Sequence, residues 1–269
     1  MSDVLDFWLK EDIGSGDFTT QAVVQNCRCN AQIKGGPGVI SGLKISIQLL
    51  DKFGIKYTTS YSEGDKIPSE TLLFELEGQS HDILGIERTL LNILSHLSGI
   101  STLTAEVVSE AKLVNPNIVI LATRKTTPGL RDFEKQAVVH GGGSTHRMRL
   151  DDAILIKDNH LRLSNNIKKS IEISRAKHPK LMIEVEADNL EQAIDATKYG
   201  ADRVMLDNFT VEDAKSTFLK LKQISNIEIE ISGGINLTNI KDYAAHADYI
   251  SLSSLTMSSL PVDFTLHVI

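Results

Sequence analysis

The sequence predicts an α/β protein: a closed or nearly closed α/β barrel preceded by a smaller α+β domain. Three features point there. Short apolar, β-branched runs recur at residues 118–122, 153–156, 181–185, 203–206, 227–231 and 249–252, their starts about 22 to 35 residues apart. Helical patterns lie between them, at 189–199, 211–224 and 237–245. Strands alternating with helices at that spacing make β-α units and a parallel sheet, and six in succession favour a barrel. The first hundred residues lack this rhythm, which marks a separate domain.

Taken in order, residues 39–53 read as a strand or loop leading into a helix. Residues 57–77 alternate in polarity and carry the turn signals Glu63-Gly64-Asp65 and Ile67-Pro68, as antiparallel strands do. Residues 86–112 form a long amphipathic helical pattern with Leu90, Leu91, Leu94 and Leu97 as its apolar stripe. Gly99 is a candidate break that would divide it into two helices. The junction falls near residues 101–114, giving domains at 1–103 and 104–257. Residues 263–269 alternate like a strand, so a tail over 258–269 is expected to rejoin the first domain.

Composition narrows the function classes. With 41% apolar and 23% charged residues, a chain of 269 residues is that of an ordinary globular protein with a large core. No apolar run approaches the length of a membrane span, and residues 1–12 lack a basic segment followed by an apolar one. The expected location is therefore the cytoplasm, with no membrane partner. Cys27 and Cys29 have no second Cys/His pair at zinc spacing and read as reduced thiols. A pI near 5.6, without a basic stripe interleaved with aromatics, argues against nucleic acid.

Charge is distributed unevenly. Between Arg124 and Arg149 there are six Lys/Arg and two acidic residues, in a chain of net charge -7. Such a local excess suits a small, highly charged anion. Arg124, Lys125, His146, Arg147 and Lys157 are the candidate receptor, since arginine offers a planar fork that matches a carboxylate or phosphate. Ion pairs to Asp132, Glu134, Asp151 and Asp152 are the bland alternative.

Each apolar run also ends in polar residues. These are Thr123-Arg124-Lys125, Lys157-Asp158-Asn159, Glu186, Asp207-Asn208, Ser232-Gly233-Gly234 and Ser253-Ser254. In a parallel barrel those ends converge on one mouth, where active sites sit. Gly141-Gly142-Gly143 reads as a turn that aims His146 and Arg147 at that mouth. Ser232-Gly233-Gly234, between a strand and a helix, reads as a phosphate cradle. Glu186 and Asp207 suit a hard divalent cation, Mg²⁺, or sugar hydroxyls, with pairing to Lys157 as the alternative. Lys157 also admits a Schiff-base role.

These motifs resemble the quinolinate phosphoribosyltransferase family. The resemblance rests on Thr123-Arg124-Lys125-Thr126-Thr127-Pro128-Gly129-Leu130-Arg131, on Gly141-Gly142-Gly143 with His146-Arg147, and on Leu155-Ile156-Lys157-Asp158-Asn159-His160. It extends to Glu11-Asp12-Ile13-Gly14 with Gly16-Asp17-Phe18-Thr19-Thr20, and to Glu87-Arg88-Thr89-Leu90-Leu91-Asn92 with Leu97-Ser98-Gly99-Ile100. Ile183-Glu184-Val185-Glu186, Met205-Leu206-Asp207-Asn208 and Ser232-Gly233-Gly234-Ile235 complete it.

The resemblance implies an incomplete α/β barrel after an N-terminal α+β open sandwich. It implies transfer of phosphoribosyl from phosphoribosyl pyrophosphate to quinolinate with loss of carbon dioxide, using Mg²⁺, in a homodimer with shared sites. It further implies that Arg124, Lys125, His146, Arg147 and Lys157 surround quinolinate, with Arg88 arriving from the partner subunit and Thr123 also binding substrate. Glu186 and Asp207 would face ribose and metal, with Lys125 and Lys157 joining them as catalytic groups. Ser232, Gly233, Gly234, Ser253 and Ser254 would hold phosphate. Two positions depart from the family's pattern. Ser253 stands where glycine is usual, keeping a hydroxyl donor and adding bulk, and Thr145 stands where many relatives have asparagine. A sister transferase acting on nicotinate or another base, and a silent nucleotide-binding homologue, are the alternative readings.

Overall fold

A computed structural model of the chain describes residues 2–164 and 166–269. They form two compact units. The first contains residues up to Leu103, with His140–Gly142 and Ser259–Ile269; the second contains Thr104–Val139 and Gly143–Ser258. Met1 and Asn165, which the expected domain ranges include, lie outside the described residues.

The first unit runs α1 (Ser2–Ile13), α2 (Phe18–Val23), β1 (Arg28–Gly35), β2 (Gly38–Val39), α3 (Leu43–Lys52), β3 (Lys56–Thr58), β4 (Lys66–Ile67), β5 (Thr71–Gln79) and the start of α4 (Ser80–Lys112), with β13 (Phe264–Val268) from the chain's end. Its main sheet is antiparallel in the order β13-β1-β5-β3, and β2 and β4 form a separate ribbon. The C-terminal tail does return as an edge strand. The centre of the sheet, β1, has little apolar sequence. It is a strand because Ala31, Ile33 and Gly35 alternate inward between polar neighbours. α3 begins where the Glu63 carboxylate accepts from the backbone N–H groups of Gly42 and Lys44, both at 2.9 Å.

α4 is a single helix of 33 residues, so Gly99 does not divide it. The glycine has a steric reason instead. A Cβ there would lie 2.2 Å from the Leu260 carbonyl oxygen, in the tail that crosses the helix. Leu90, Leu91, Leu94 and Leu97 are all buried, as their spacing predicts.

The second unit continues with β6 (Val119–Ala122), α5 (Arg131–His140), β7 (Ser144–Thr145), β8 (Ile154–Ile156), α6 (Asp158–Ser164), α7 (Ile167–Lys177), β9 (Ile183–Ala187), α8 (Leu190–Lys198), β10 (Arg203–Asp207), α9 (Val211–Ile224), β11 (Glu228–Ser232), α10 (Ile240–Ala244), β12 (Tyr249–Leu252) and α11 (Ser254–Met257). The seven strands form one parallel sheet in the order β7-β6-β12-β11-β10-β9-β8. β7 and β8 stand at its two edges, so the barrel is incomplete. Sequence periodicity had allowed full closure. β7, two residues long, carries no apolar signal and was invisible to it.

One face of the sheet is apolar. Ile183, Val185, Val204, Leu206, Ile229 and Ile231 are fully buried there, where α7 and α8 pack on the strands. The other face of β9–β11 alternates charge. Strand register puts Glu184, Arg203 and Glu228 level with one another, then Glu186, Met205 and Glu230, then Asp207 and Ser232.

Gly99→Ala should destabilise the protein by about 1–3 kcal/mol, because the helix or the tail must shift to admit the methyl group. Thermal melting measures this, and an unchanged midpoint would contradict the close approach.

Candidate active site

The seven parallel strands deliver their C-terminal ends to one edge of the sheet. Thr123, Arg124 and Lys125 follow β6, His146 and Arg147 follow β7, and Lys157 follows β8. Glu186 and Asp207 stand at the ends of β9 and β10, Ser232 ends β11, and Ser253 and Ser254 follow β12. All but one of the expected site residues are therefore strand-end residues of the second unit. The exception is Arg88, which is exposed on α4 within the first unit.

Arg124 and Arg147 are half-buried neighbours. The Arg147 guanidinium is pushed down from its ordinary value, first by burial and then by the charge of Arg124. Arg147 donates to the Ala153 carbonyl at 3.1 Å, whereas Arg124 Nε is buried without a partner. A buried guanidinium N–H without an acceptor marks a place for an anion oxygen. Arg131 serves the architecture, donating to Thr126 Oγ1 at 3.1 Å and to the Met148 carbonyl at 3.2 Å. Lys125 is exposed at the rim, its backbone carbonyl accepting from Thr256 Oγ1 at 2.7 Å.

Lys157 is bonded to Glu186. This partnership argues against a Schiff-base role, which wants a neutral amine in an apolar pocket. Asp207 lies two residues along β10 from the position opposite Glu186, on the same face. Its carboxyl is pushed up, first by burial and then by the Glu186 charge. Asn208 holds it by donating to Asp207 Oδ2 at 2.6 Å, with its own backbone at φ 57. Two oxygen-donor carboxylates in mutual repulsion suit a divalent cation.

Ser232-Gly233-Gly234 leaves β11 as expected, but the helix does not start there. α10 begins only at Ile240, and Asn236 and Asn239 side chains accept the intervening backbone N–H groups. Any anion at this turn would meet backbone N–H groups without a helix terminus. Gly233 has φ +89, and a Cβ would lie 2.2 Å from Asn208 Oδ1, so only glycine fits. Ser253 caps α11, a single turn, with its carbonyl accepting from the Met257 N–H at 3.0 Å.

His146 is placed differently from the expectation. It is buried, with Nδ1 accepting from the Arg147 N–H and Nε2 donating to Glu184 Oε2, both at 2.7 Å. Both ring nitrogens are engaged inside the protein, so the ring supports Arg147 from below. Burial, ahead of every charge around it, pushes its pKa down.

Beneath it lies a charged layer that sequence reading missed. Glu230 Oε2 is 3.6 Å from His146 Nε2 and 3.4 Å from Arg203 Nη1. Arg203 also forks onto Glu228 at 2.8 Å and lies 3.7 Å from the centroid of the Tyr249 ring. Burial pushes Glu184 up to about 7, against the pull of Arg203. Burial and then the Glu184 charge push Glu230 up to about 8. The pair therefore holds a proton at neutral pH. The ligand atoms of His146, Glu184 and Glu230 lie within 4.8 Å of one another, close enough for a metal ion, but Arg203 and the His146–Glu184 bond already fill that role. The detectable signal was charge at every second residue in Glu184-Val185-Glu186 and Glu228-Ile229-Glu230. The strands of a parallel sheet are normally apolar throughout.

Two family models match the chain. Quinolinate phosphoribosyl transferase, N-terminal domain, matches residues 17–98, and the C-terminal domain of the same family matches residues 100–267. The chain belongs to the quinolinate phosphoribosyltransferase family. A probable nicotinate-nucleotide pyrophosphorylase [carboxylating] of Methanothermobacter thermautotrophicus is 39% identical, over 100% of this chain and 99% of that protein. The human nicotinate-nucleotide pyrophosphorylase [carboxylating] is 32% identical, over 98% of this chain and 90% of its own. Among solved structures, the nicotinate-nucleotide pyrophosphorylase from Francisella tularensis superposes with a TM-score of 0.94 at 33% identity, covering 99% of this chain and 95% of that one.

Glu230→Gln removes a carboxyl whose pKa is raised on folding. A raised carboxyl stabilises the fold below its unfolded pKa, and that contribution is lost as pH rises through about 8. Urea unfolding of the unsubstituted protein should therefore lose about 1–2 kcal/mol between about pH 5 and pH 8 that Glu230→Gln does not lose. Parallel profiles would show that Glu230 is ionised throughout.

Proposed function

We propose that the chain is a carboxylating nicotinate-nucleotide pyrophosphorylase. It transfers phosphoribosyl from phosphoribosyl pyrophosphate to quinolinate, releasing pyrophosphate, carbon dioxide and nicotinate mononucleotide for NAD biosynthesis. The observation that carries this reading is the pairing of Arg124 and Arg147, one with an unpartnered buried N–H, beside the Lys157, Glu186 and Asp207 group at the strand ends.

The chemistry follows from the charges. Quinolinate is a dianion, and two adjacent arginines neutralise adjacent carboxylates while fixing the ring's orientation. A monocarboxylate would leave one cation unneutralised. Departure of pyrophosphate leaves positive character on the ribose carbon, which Glu186 and Asp207 stabilise from the next strands. Lys157 releases Glu186 to the ribose as it turns to the substrate. Attack by the ring nitrogen makes it quaternary; its positive charge stabilises the electron pair left on the adjacent ring carbon as carbon dioxide departs, and a proton from water then bonds to that carbon to give nicotinate mononucleotide.

Glu186 and Asp207 fit Mg²⁺, which when bound neutralises the pyrophosphate leaving group. We propose further that two chains form a dimer in which Arg88 of the partner subunit completes each site. Its exposure on α4 supports this. No described helix is long and apolar enough to cross a membrane, which fits the cytoplasmic location proposed for the enzyme.

Protein with Mg²⁺, phosphoribosyl pyrophosphate and quinolinate should release carbon dioxide and nucleotide. Nicotinate in place of quinolinate should give none, and chelation of the metal should stop the reaction. Product from nicotinate alone would replace this reading with a sister transferase, and binding without turnover would leave a silent homologue. Arg147→Ala should lower kcat/KM for quinolinate by roughly a hundredfold or more. Arg88→Ala and Lys157→Ala proteins, each inactive, should regain activity when mixed. No recovery despite demonstrated subunit exchange would rule out a shared site.

A further inference from the structure

Lys135 has no part in the reading above, yet it is the most deeply placed cation near the anion site. It lies on α5 and is 1% exposed. Its Nζ donates to the backbone carbonyls of His146 and Arg147, each at 2.7 Å. Those residues are also held by the Glu184 bond to the His146 ring and by the Ala153 carbonyl on the Arg147 guanidinium. The His146-Arg147 segment is thus fixed at its backbone by Lys135 and at its side chains by the sheet.

We propose that Lys135 is the positioning residue for the dicarboxylate: its ammonium sets the aim of Arg147, and its protonation is coupled to occupancy of the anion site. This rests on the transferase reading for the identity of the dianion. A neutral donor could satisfy one carbonyl, but an ammonium satisfies two at once and adds charge. That charge is expensive in the empty site. Lys135 faces Arg131 on its own helix, Arg124 after β6, and His146 and Arg147 after β7, with Asp152 as the favourable neighbour. Burial, then Arg131, then Arg124 and Arg147, bring its pKa down to about 8, against the pull of Asp152. A dianion held by Arg124 and Arg147 offsets the share of that repulsion that comes from those two arginines, so the ammonium becomes easier to keep. The sign follows. Binding raises the pKa, so above about pH 8 the free protein takes up a proton when the dianion binds, and affinity falls as pH rises.

The test compares the unsubstituted protein with Lys135→Met and Lys135→Arg. Quinolinate binding is followed by calorimetry at about pH 8.5 in buffers of different ionisation enthalpy, which reports protons taken up. The unsubstituted protein should take up a fraction of a proton per site. Lys135→Arg keeps charge and donors but does not titrate, so it should bind without uptake and with affinity nearly independent of pH. Lys135→Met should bind on the order of 10- to 100-fold more weakly without uptake, raising KM for quinolinate while leaving KM for phosphoribosyl pyrophosphate little changed. Circular dichroism establishes that each variant is folded. If both variants fail to fold, uptake that persists in Glu230→Gln, which lacks the other buried group titrating near pH 8, sustains the proposal, and uptake lost in that variant overturns it. Absence of uptake by the unsubstituted protein, persistence of uptake in Lys135→Met, or unchanged quinolinate KM in a folded Lys135→Met protein would overturn the proposal. Phthalate, which carries the same two carboxylates but no ring nitrogen, separates this from the reaction itself. Uptake on phthalate binding by a protein that does not turn over quinolinate would sustain Lys135 and defeat the transferase reading.

Discussion

The second unit depends on charges buried where a parallel sheet is normally apolar. Glu184 and Glu230 are fully buried, and Arg203 and His146 nearly so. Taking an ion out of water costs several kcal/mol even after relaxation, and such a layer survives only when each charge is paired. Here the pairing is specific. Arg203 answers Glu228 and Glu230 and the His146 ring answers Glu184, while burial raises both carboxyls and so favours their neutral forms, the second oxygen of each having no hydrogen-bond partner. The layer is weak as a source of stability and strong as a source of uniqueness, because any other packing of these strands leaves a charge without its partner.

That layer lies under the groups proposed to hold the substrate. His146 donates its only ring N–H downward, so it cannot also act as a mobile donor to a ligand, and Arg147 stands beside it on a fixed peptide. Lys135 holds the same peptide at its carbonyls. Burial first, and then the neighbouring positive charges, lower the values of Arg147 and Lys135, with Arg124 contributing in both cases. The repulsion is tolerable because the scaffold restrains each group. Cations that are already aimed need no reorganisation when the anion arrives, and this is how a static arrangement contributes to rate.

Much of this was legible in the sequence, and the failures share a cause. Strand positions, the tail strand and the strand-end residues followed from apolar rhythm and from what terminates each run. β1 and β7 were missed because their residues, Arg28-Cys29-Asn30-Ala31-Gln32-Ile33 and Ser144-Thr145, take extended form through their neighbours in the sheet. Gly99 misled because helix propensity is local, whereas its function is to let the Leu260 carbonyl come close from a distant part of the chain. His146 was expected to face the mouth, and its ring is turned into the protein instead. A sequence shows that a histidine precedes an arginine, but which way its ring turns depends on Glu184, 38 residues later. Glu184, Arg203 and Glu230 were hidden for the opposite reason. Each looks like ordinary surface charge until the sheet encloses it.

The crossing between the ends of β10 and β11 shows why the polar residues there are so constrained. Asn208 sits at φ 57, a conformation that costs a non-glycine residue about 1 kcal/mol or more. Its backbone N–H donates to the Ser232 carbonyl at 2.9 Å, and its side chain holds Asp207. In that pose its Oδ1 occupies the space a side chain at 233 would need. One strained residue thus ties the carboxylate strand to the glycine turn beside it, and the turn's lack of a side chain is what allows the pose. A chain with any other residue at 233 would have to turn Asn208 away, free Asp207, and lose the alignment of its carboxylate with Glu186. The conformations of Asn208 and Gly233 are therefore a single structural decision, made at the point where the sheet changes from presenting negative side chains to presenting bare backbone N–H groups.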